Sequence, residues 1–335
     1  MPAKFFTLSS SLQSQLESIL EATWQTFPQL AQNQLAVTWI AYEPPYRVNT
    51  GGGLSAEEFW TYQPQGASYR GVELIEPGTI AHLFYLVALN VWLEQGMAQP
   101  SAEIDRAMAD MMAQTNHDAA SYALDLLSGT TSGPSLPEGP DKTWAYQRDI
   151  VNRYFANLGW PELRSINLNQ KTWCDRPYGG PYGREQDFLG KALENRNQLT
   201  TEATARLLHS IVGGVSVSSV RSQSMMALMS RLQPSTAASM SMALRPTAFP
   251  PMAQVWGKTN TTAVGSHRIA YVEADDIHPF LLAIFTASSR PVTDERSPDL
   301  TQQNEAVTMF VAQQIFAMSQ KNFSATGAAS KSVGG

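Results

Sequence analysis

Pro77-Gly78-Thr79-Ile80-Ala81-His82-Leu83-Phe84-Tyr85-Leu86-Val87-Ala88-Leu89 is the stretch on which the reading of this chain turns. A Pro-Gly turn runs straight into an apolar helix, expected over Ile80 to Gln95 and stopped by Gly96. Thr79 and His82 stand three residues apart, a spacing that puts both side chains on one helix face. A hydroxyl beside an imidazole is the minimal nucleophile and base for acyl transfer. Two plainer readings stay open beside it. A threonine at a helix start can cap backbone N–H groups, and a histidine among Ile80, Leu83 and Phe84 can be a buried packing residue.

Outward from that stretch the chain changes character twice. On the N-terminal side, Ser9 to Phe27 carries Leu12, Leu16, Ile19, Leu20 and Trp24 at helical spacing. Gln34 to Tyr42 reads as a strand, Asn49 to Gly53 as a turn and Phe59 to Tyr62 as a second strand. On the C-terminal side, helices are expected over Ile104 to Met112, Ala119 to Leu127, Trp144 to Leu158, Thr201 to Ile211 and Arg221 to Leu232. Lys171 to Gly190, rich in Gly, Pro and aromatics, reads as a long loop of the kind that carries function. Strand character returns at Gln254 to Lys258, His267 to Glu273 and Phe280 to Thr286, and Gln302 to Ser319 reads as a closing amphipathic helix.

Two strands near the N-terminus cannot make a stable sheet alone. Paired with the three C-terminal strands they give an α/β (α+β) fold: a five-stranded antiparallel sheet with both terminal helices on one face. The domain expectation is a discontinuous α/β subdomain (1–74 and 246–323), an inserted all-α subdomain (75–245) and a disordered tail (324–335). A cleft is expected where the insertion meets the sheet.

Composition narrows the function classes. The 335 residues hold 23 Lys and Arg against 29 Asp and Glu, with no dense basic cluster, so nucleic acid is not an expected partner. The one cysteine, Cys174, excludes an internal disulfide and permits a reducing compartment. Met1 to Leu20 lacks the basic start and apolar run of a signal peptide, and no stretch approaches the roughly 18 apolar residues of a membrane span. The expectation is a soluble, cytoplasmic protein without membrane partners.

The layout and its motifs resemble the class A β-lactamases and the penicillin-binding DD-peptidases, most of all the β-lactamase-like serine hydrolases found in cyanobacteria. The resemblance covers roughly residues 10 to 320. That family carries Ser-x-x-Lys, Ser-x-Asn and Lys-Thr-Gly. Here the first falls on Thr79-Ile80-Ala81-His82, with Thr for the nucleophilic serine and His for the lysine base. The second falls on Thr115-Asn116-His117, and the third on Lys258-Thr259-Asn260, where Asn replaces Gly. Each motif has its position, and each is altered.

The resemblance implies a role for each residue. Thr79 and His82 stand as nucleophile and base, with Thr115, His117 and Lys258 completing the catalytic set. Asn116, Thr259, Asn260 and Thr261 stand as substrate-binding positions, and the backbone N–H groups of Thr79 and Thr261 as the oxyanion hole. Asn260 brings a side chain where the family glycine leaves room for substrate. The long loop offers Asp175, Glu185 and Asp187, but none in the Glu-x-x-Leu-Asn pattern of a deacylation base. His82 and His117 are expected to approach each other across the cleft. With Asp118 they also raise the thought of a metal site, although no local ligand spacing supports one and no metal or cofactor is expected. His209, His267 and His278 read as packing or surface residues, and Met225, Met226 and Met229 as a core stripe.

Three motifs altered together point to a degenerate catalytic site. The function expected is a cleft repurposed to bind a small molecule, a peptide or a protein partner. The alternative is an amide or ester hydrolase acting through a Thr79 acyl-enzyme with His82 as base.

Overall fold

The computed structural model describes residues 4–43, 48–49, 52–172, 180–230, 248–262, 264–287 and 298–332. Its sheet runs in the order β1-β3-β2-β6-β5-β4. The strands are β1 (Thr7–Leu8), β2 (Leu35–Ala41), β3 (Gln65–Tyr69), β4 (Gln254–Thr261), β5 (Ser266–Glu273) and β6 (Phe280–Thr286). Every neighbouring pair is antiparallel except the two-residue β1, which joins β3 in parallel. The sheet therefore has six strands where five are expected.

The second strand lies elsewhere than the sequence suggests. Phe59 ends a short helix, α2 (Ala56–Phe59), and the strand follows at Gln65–Tyr69. Ser55 and Glu58 form a reciprocal capping box at the start of α2, which outweighs the aromatic β-propensity of Phe59 to Tyr62. The true strand, Gln65-Gly66-Ala67-Ser68-Tyr69, is too small and polar to announce itself. Gly66 is needed because a Cβ there would meet Phe6 and Ile40 at 2.6 and 2.7 Å.

Helices cover both faces of the sheet. α1 (Ser10–Thr26, capped by Ser9) and α11 (Pro298–Ser332) pack on one face through Leu16, Leu20, Val311 and Ile315 against Trp39, Leu282 and Ile284. On the other face lies α9 (Thr201–Val212), buried at every position. With both faces covered, β2 and β6 are buried along their whole length. α11 is longer than the expected Gln302 to Ser319 and reaches into the Ser/Ala/Gly stretch read as a tail.

Between β3 and β4 the chain builds its helical block. α3 (Ala81–Glu94) is its central post, buried from Ala81 through Leu93, as an all-round apolar helix must be. Around it stand α4 (Ala102–Ala113), α5 (His117–Ser128), α6 (Pro140–Arg148), α7 (Ile150–Asn157), α8 (Arg184–Leu189) and α10 (Ser219–Met229). Ser101 and Asn116 cap α4 and α5, and Gly129 in the left-handed region (φ 64°) ends α5. The expected helix Trp144 to Leu158 is two helices meeting at Asp149, whose carboxylate accepts from Asn152 Nδ2 at 2.7 Å. Inside the long loop, α8 is a single short helix. Cys174, Asp175 and most of the aromatic stretch Trp173 to Tyr182 lie outside the described residues.

Candidate active site

Two structural elements meet where the cleft is expected. One is the turn of 3₁₀ helix Gly78–Ile80 that leads into α3. The other is β4, the edge strand of the sheet. Alternation along β4 puts Lys258 and Asn260 on one face, and Thr259 and Thr261 on the opposite one. Thr259 is exposed. Thr261 Oγ1 lies 3.0 Å from Ser266 Oγ, which in turn lies 3.0 Å from Thr308 Oγ1 on α11. Of the third motif, Asn260 bonds Thr79 directly, and Lys258 lies on the same face of β4.

Thr79 is buried and bound to Asn260. Its hydroxyl donates to Asn260 Oδ1 at 3.0 Å and its backbone N–H donates to the same oxygen at 3.3 Å. The backbone donor fixes the orientation of the carboxamide, since only its oxygen can accept. No side chain caps the start of α3, so the hydroxyl of Thr79 is not a helix cap. The neighbouring Gly78, at φ 52°, is closed to other residues: a Cβ there would lie 2.5 Å from Asn260 Nδ2.

His82 is fully buried, and both of its ring nitrogens are engaged away from Thr79. Nδ1 lies 3.2 Å from the Met111 carbonyl and Nε2 lies 2.9 Å from Thr172 Oγ1. A carbonyl can only accept, so the proton sits on Nδ1 and Nε2 accepts from the Thr172 hydroxyl. Burial, then the nearby Lys258 charge, hold the imidazole well below its ordinary pKa of 6.5, so it is neutral. The His82 and His117 rings do approach, edge to face at 6.2 Å between centroids. His117 Nδ1 donates to the Thr172 carbonyl at 2.8 Å. Thr172 thus bridges the two histidines, one through its side chain and one through its backbone.

Lys258 is 6% exposed and, among the described residues, has no carboxylate partner. Its ammonium reaches the Met111 and Met112 carbonyls at 3.1 and 3.3 Å and Thr115 Oγ1 at 3.3 Å. Those carbonyls belong to the last turn of α4, where four acceptors lack intrahelical partners. Burial lowers the Lys258 pKa from 10.5 to about 7. Thr115 meets Lys258 from a left-handed backbone, φ 57°, which a β-branched residue adopts only under constraint. Asn116 is occupied structurally, its Oδ1 accepting from Ala119 N–H at 2.9 Å as the cap of α5.

The loop acids stand apart from this cluster. Glu185 is fully buried and accepts from Arg148 at 2.6 Å and Ser132 at 2.9 Å. Arg148 also reaches Asp125 at 3.0 Å, and Lys171 reaches Asp125 at 2.7 Å. The four charges balance and tie Lys171 and Glu185 of the loop to α5 and α6. Asp187 and Asp118 are exposed. Among the described residues, no three His, Cys, Asp or Glu side chains gather as a metal site would require. His209 is buried against the Tyr42 hydroxyl at 2.8 Å, His267 packs on Phe285, and His278 packs on Phe323.

Sequence reasoning passed over Thr172 and the Met111 carbonyl, because their partners are distant in the chain. It also passed over Asp125, whose one signal is a carboxylate inside the apolar run Leu124-Asp125-Leu126-Leu127.

Residues 143–315 match the model of a family described as the β-lactamase enzyme family. Among curated proteins, none matches the chain by sequence. Solved structures of the same fold include a β-lactamase from Sphaerobacter thermophilus, 14% identical over 91% of this chain and 97% of that one, with a TM-score of 0.55. A PBP-A variant, solved as an acyl-enzyme complex with penicillin G, is 12% identical over 95% of this chain and 100% of its own, with a TM-score of 0.57. A class A β-lactamase representative from Bacteroides cellulosilyticus is 11% identical over 90% and 98%, with a TM-score of 0.53.

Proposed function

Because the chain belongs to the β-lactamase enzyme family, we propose that it is a member whose former catalytic cleft binds a ligand or a protein partner instead of turning over a β-lactam. The observation that carries this reading is the commitment of His82. An activating base must reach the nucleophile's proton, and here Nδ1 is spent on the Met111 carbonyl and Nε2 on Thr172. Burial further weakens the imidazole as a base. The Thr79 hydroxyl, for its part, donates to Asn260 rather than to a base. The residues that would hold a ligand are those left facing the cleft around Thr79, Thr115 and Lys258, and the ligand is a small molecule or a peptide if it is not a folded partner.

One observation favours the second reading, hydrolysis through Thr79. Lys258, with its pKa near 7, is partly neutral at physiological pH and touches Thr115, so an amine base is present in the cleft even though His82 is not available. Incubation with a fluorescent penicillin and with activated esters, followed by intact mass, separates the two. No adduct and no ester turnover at high reagent concentration supports the binding reading. An adduct mapping to Thr79 in the wild-type protein overturns it.

A further inference from the structure

We propose that Asn260 is a tethered ligand: its carboxamide oxygen occupies the position where the carbonyl of an incoming ligand is bound, and the cleft opens only when that side chain swings away. The inference rests on the reading of the cleft as a binding site.

Three observations carry it. The backbone N–H and the hydroxyl of Thr79 converge on one oxygen, Asn260 Oδ1, at 3.3 and 3.0 Å. Two donors aimed at one acceptor make a preformed site for a carbonyl, carboxylate or oxyanion oxygen, and a primary carboxamide supplies that oxygen here. The shape is matched as well as the polarity. Gly78 leaves a space that its own Cβ would close, and the Asn260 amide fills it, 2.5 Å from where that Cβ would stand. Finally, the occupant is tethered on β4 beside Lys258, a strand locked to β5 over eight registered residue pairs, so its effective concentration at Thr79 is high and a free ligand must compete with it. The ligand chemistry follows from the occupant: a planar group with a carbonyl-type acceptor oxygen, an amide or a carboxylate.

Phenylboronic acid is the probe, because its boron accepts a lone pair from the Thr79 hydroxyl oxygen. A B–O bond forms, the hydroxyl proton passes to buffer, and a tetrahedral boronate results whose oxygen can take the Thr79 N–H. Boron-11 NMR reads the change from trigonal to tetrahedral. Removing the internal competitor in Asn260→Ala frees two hydrogen-bond donors and should tighten boronate binding by on the order of 30-fold. Asn260→Asp keeps an acceptor oxygen and should stay as closed as the wild type, and Thr79→Ala added to Asn260→Ala should abolish the tetrahedral signal. Equal affinity in wild type and Asn260→Ala, or opening by Asn260→Asp equal to that by Ala, overturns the proposal. Should Asn260→Ala fail to fold, the wild type decides. Saturating boronate should shift the side-chain amide resonances of Asn260, and a boronate on Thr79 that leaves them in place overturns the proposal. These outcomes are independent of turnover: an adduct with penicillin in the wild type would defeat the binding reading, whereas equal boronate affinities would defeat only the tethered-ligand inference.

Discussion

Replacing Lys258 by methionine should flatten the rise of stability with pH. The folded-state pKa of Lys258 is about 7, against an ordinary value of 10.5, because burial disfavours its charged form. Between those two values the unfolded chain holds one proton more than the folded one, so stability increases with pH by up to about 1.4 kcal/mol per unit. Below pH 7 both states hold the proton and this contribution levels off at its least favourable value. Above 10.5 neither does, and the full stability is present. Integrating from pH 7 to pH 9, with the folded lysine half protonated at the start, gives about 2 kcal/mol of added stability. Lys258 is 6% exposed, so solvent screening takes little from that figure. Urea denaturation of wild type and Lys258→Met at both pH values reads it directly, because other titrating groups cancel in the difference between the two proteins. Methionine keeps the aliphatic stem and leaves the α4 carbonyls without the donor, which lowers stability at both pH values but does not create a slope. The same pH dependence in both proteins would refute the reasoning, and would mean that the lysine is solvated or paired in the native state.

Three further outcomes follow from the same contacts. Thr172→Val removes the hydroxyl that satisfies the buried His82 Nε2 at 2.9 Å and should cost about 1–3 kcal/mol in urea denaturation; no loss would show that water replaces it. Arg148→Ala leaves the fully buried Glu185 without its 2.6 Å partner and should cost about 3–5 kcal/mol, while Arg148→Met combined with Glu185→Leu should recover most of the loss. A double variant no better than the single one would contradict this. Gly257→Ala sets a Cβ 2.1 Å from the Ile269 carbonyl, a backbone atom with no room to yield. It should break the β4–β5 pairing and abolish a cooperative melt, and a normal melt would place β4 elsewhere.

Much of the fold was legible because it depends on local pattern. The apolar run from Ile80, the apolar, β-rich strands at both ends of the chain and the altered motifs sit in a few residues each, and a helix that is hydrophobic all round has to be central. The strand at Gln65–Tyr69 was hidden because it is recruited by its neighbours and not by its own propensity, and α2 displaced it through a capping box whose strength is a hydrogen-bond count. The proximity of His82 and His117 also followed from the resemblance, since it required only that the first and second motifs face each other.

What the sequence determined by itself was therefore the family pattern, a helical block between the strands, and Thr79, His82, Thr115, His117 and Lys258 as residue types at given places. What only the tertiary structure decided was which of them speak to each other. Three residues apart on a helix, Thr79 and His82 look like a pair, yet hydrogen bonds are short and directional. The hydroxyl turned to Asn260, 181 positions away in the chain, and the imidazole to Met111 and Thr172. Spacing along a helix places side chains on a face, but the partner that wins each donor and acceptor is set by whatever other segment the fold brings within about 3 Å.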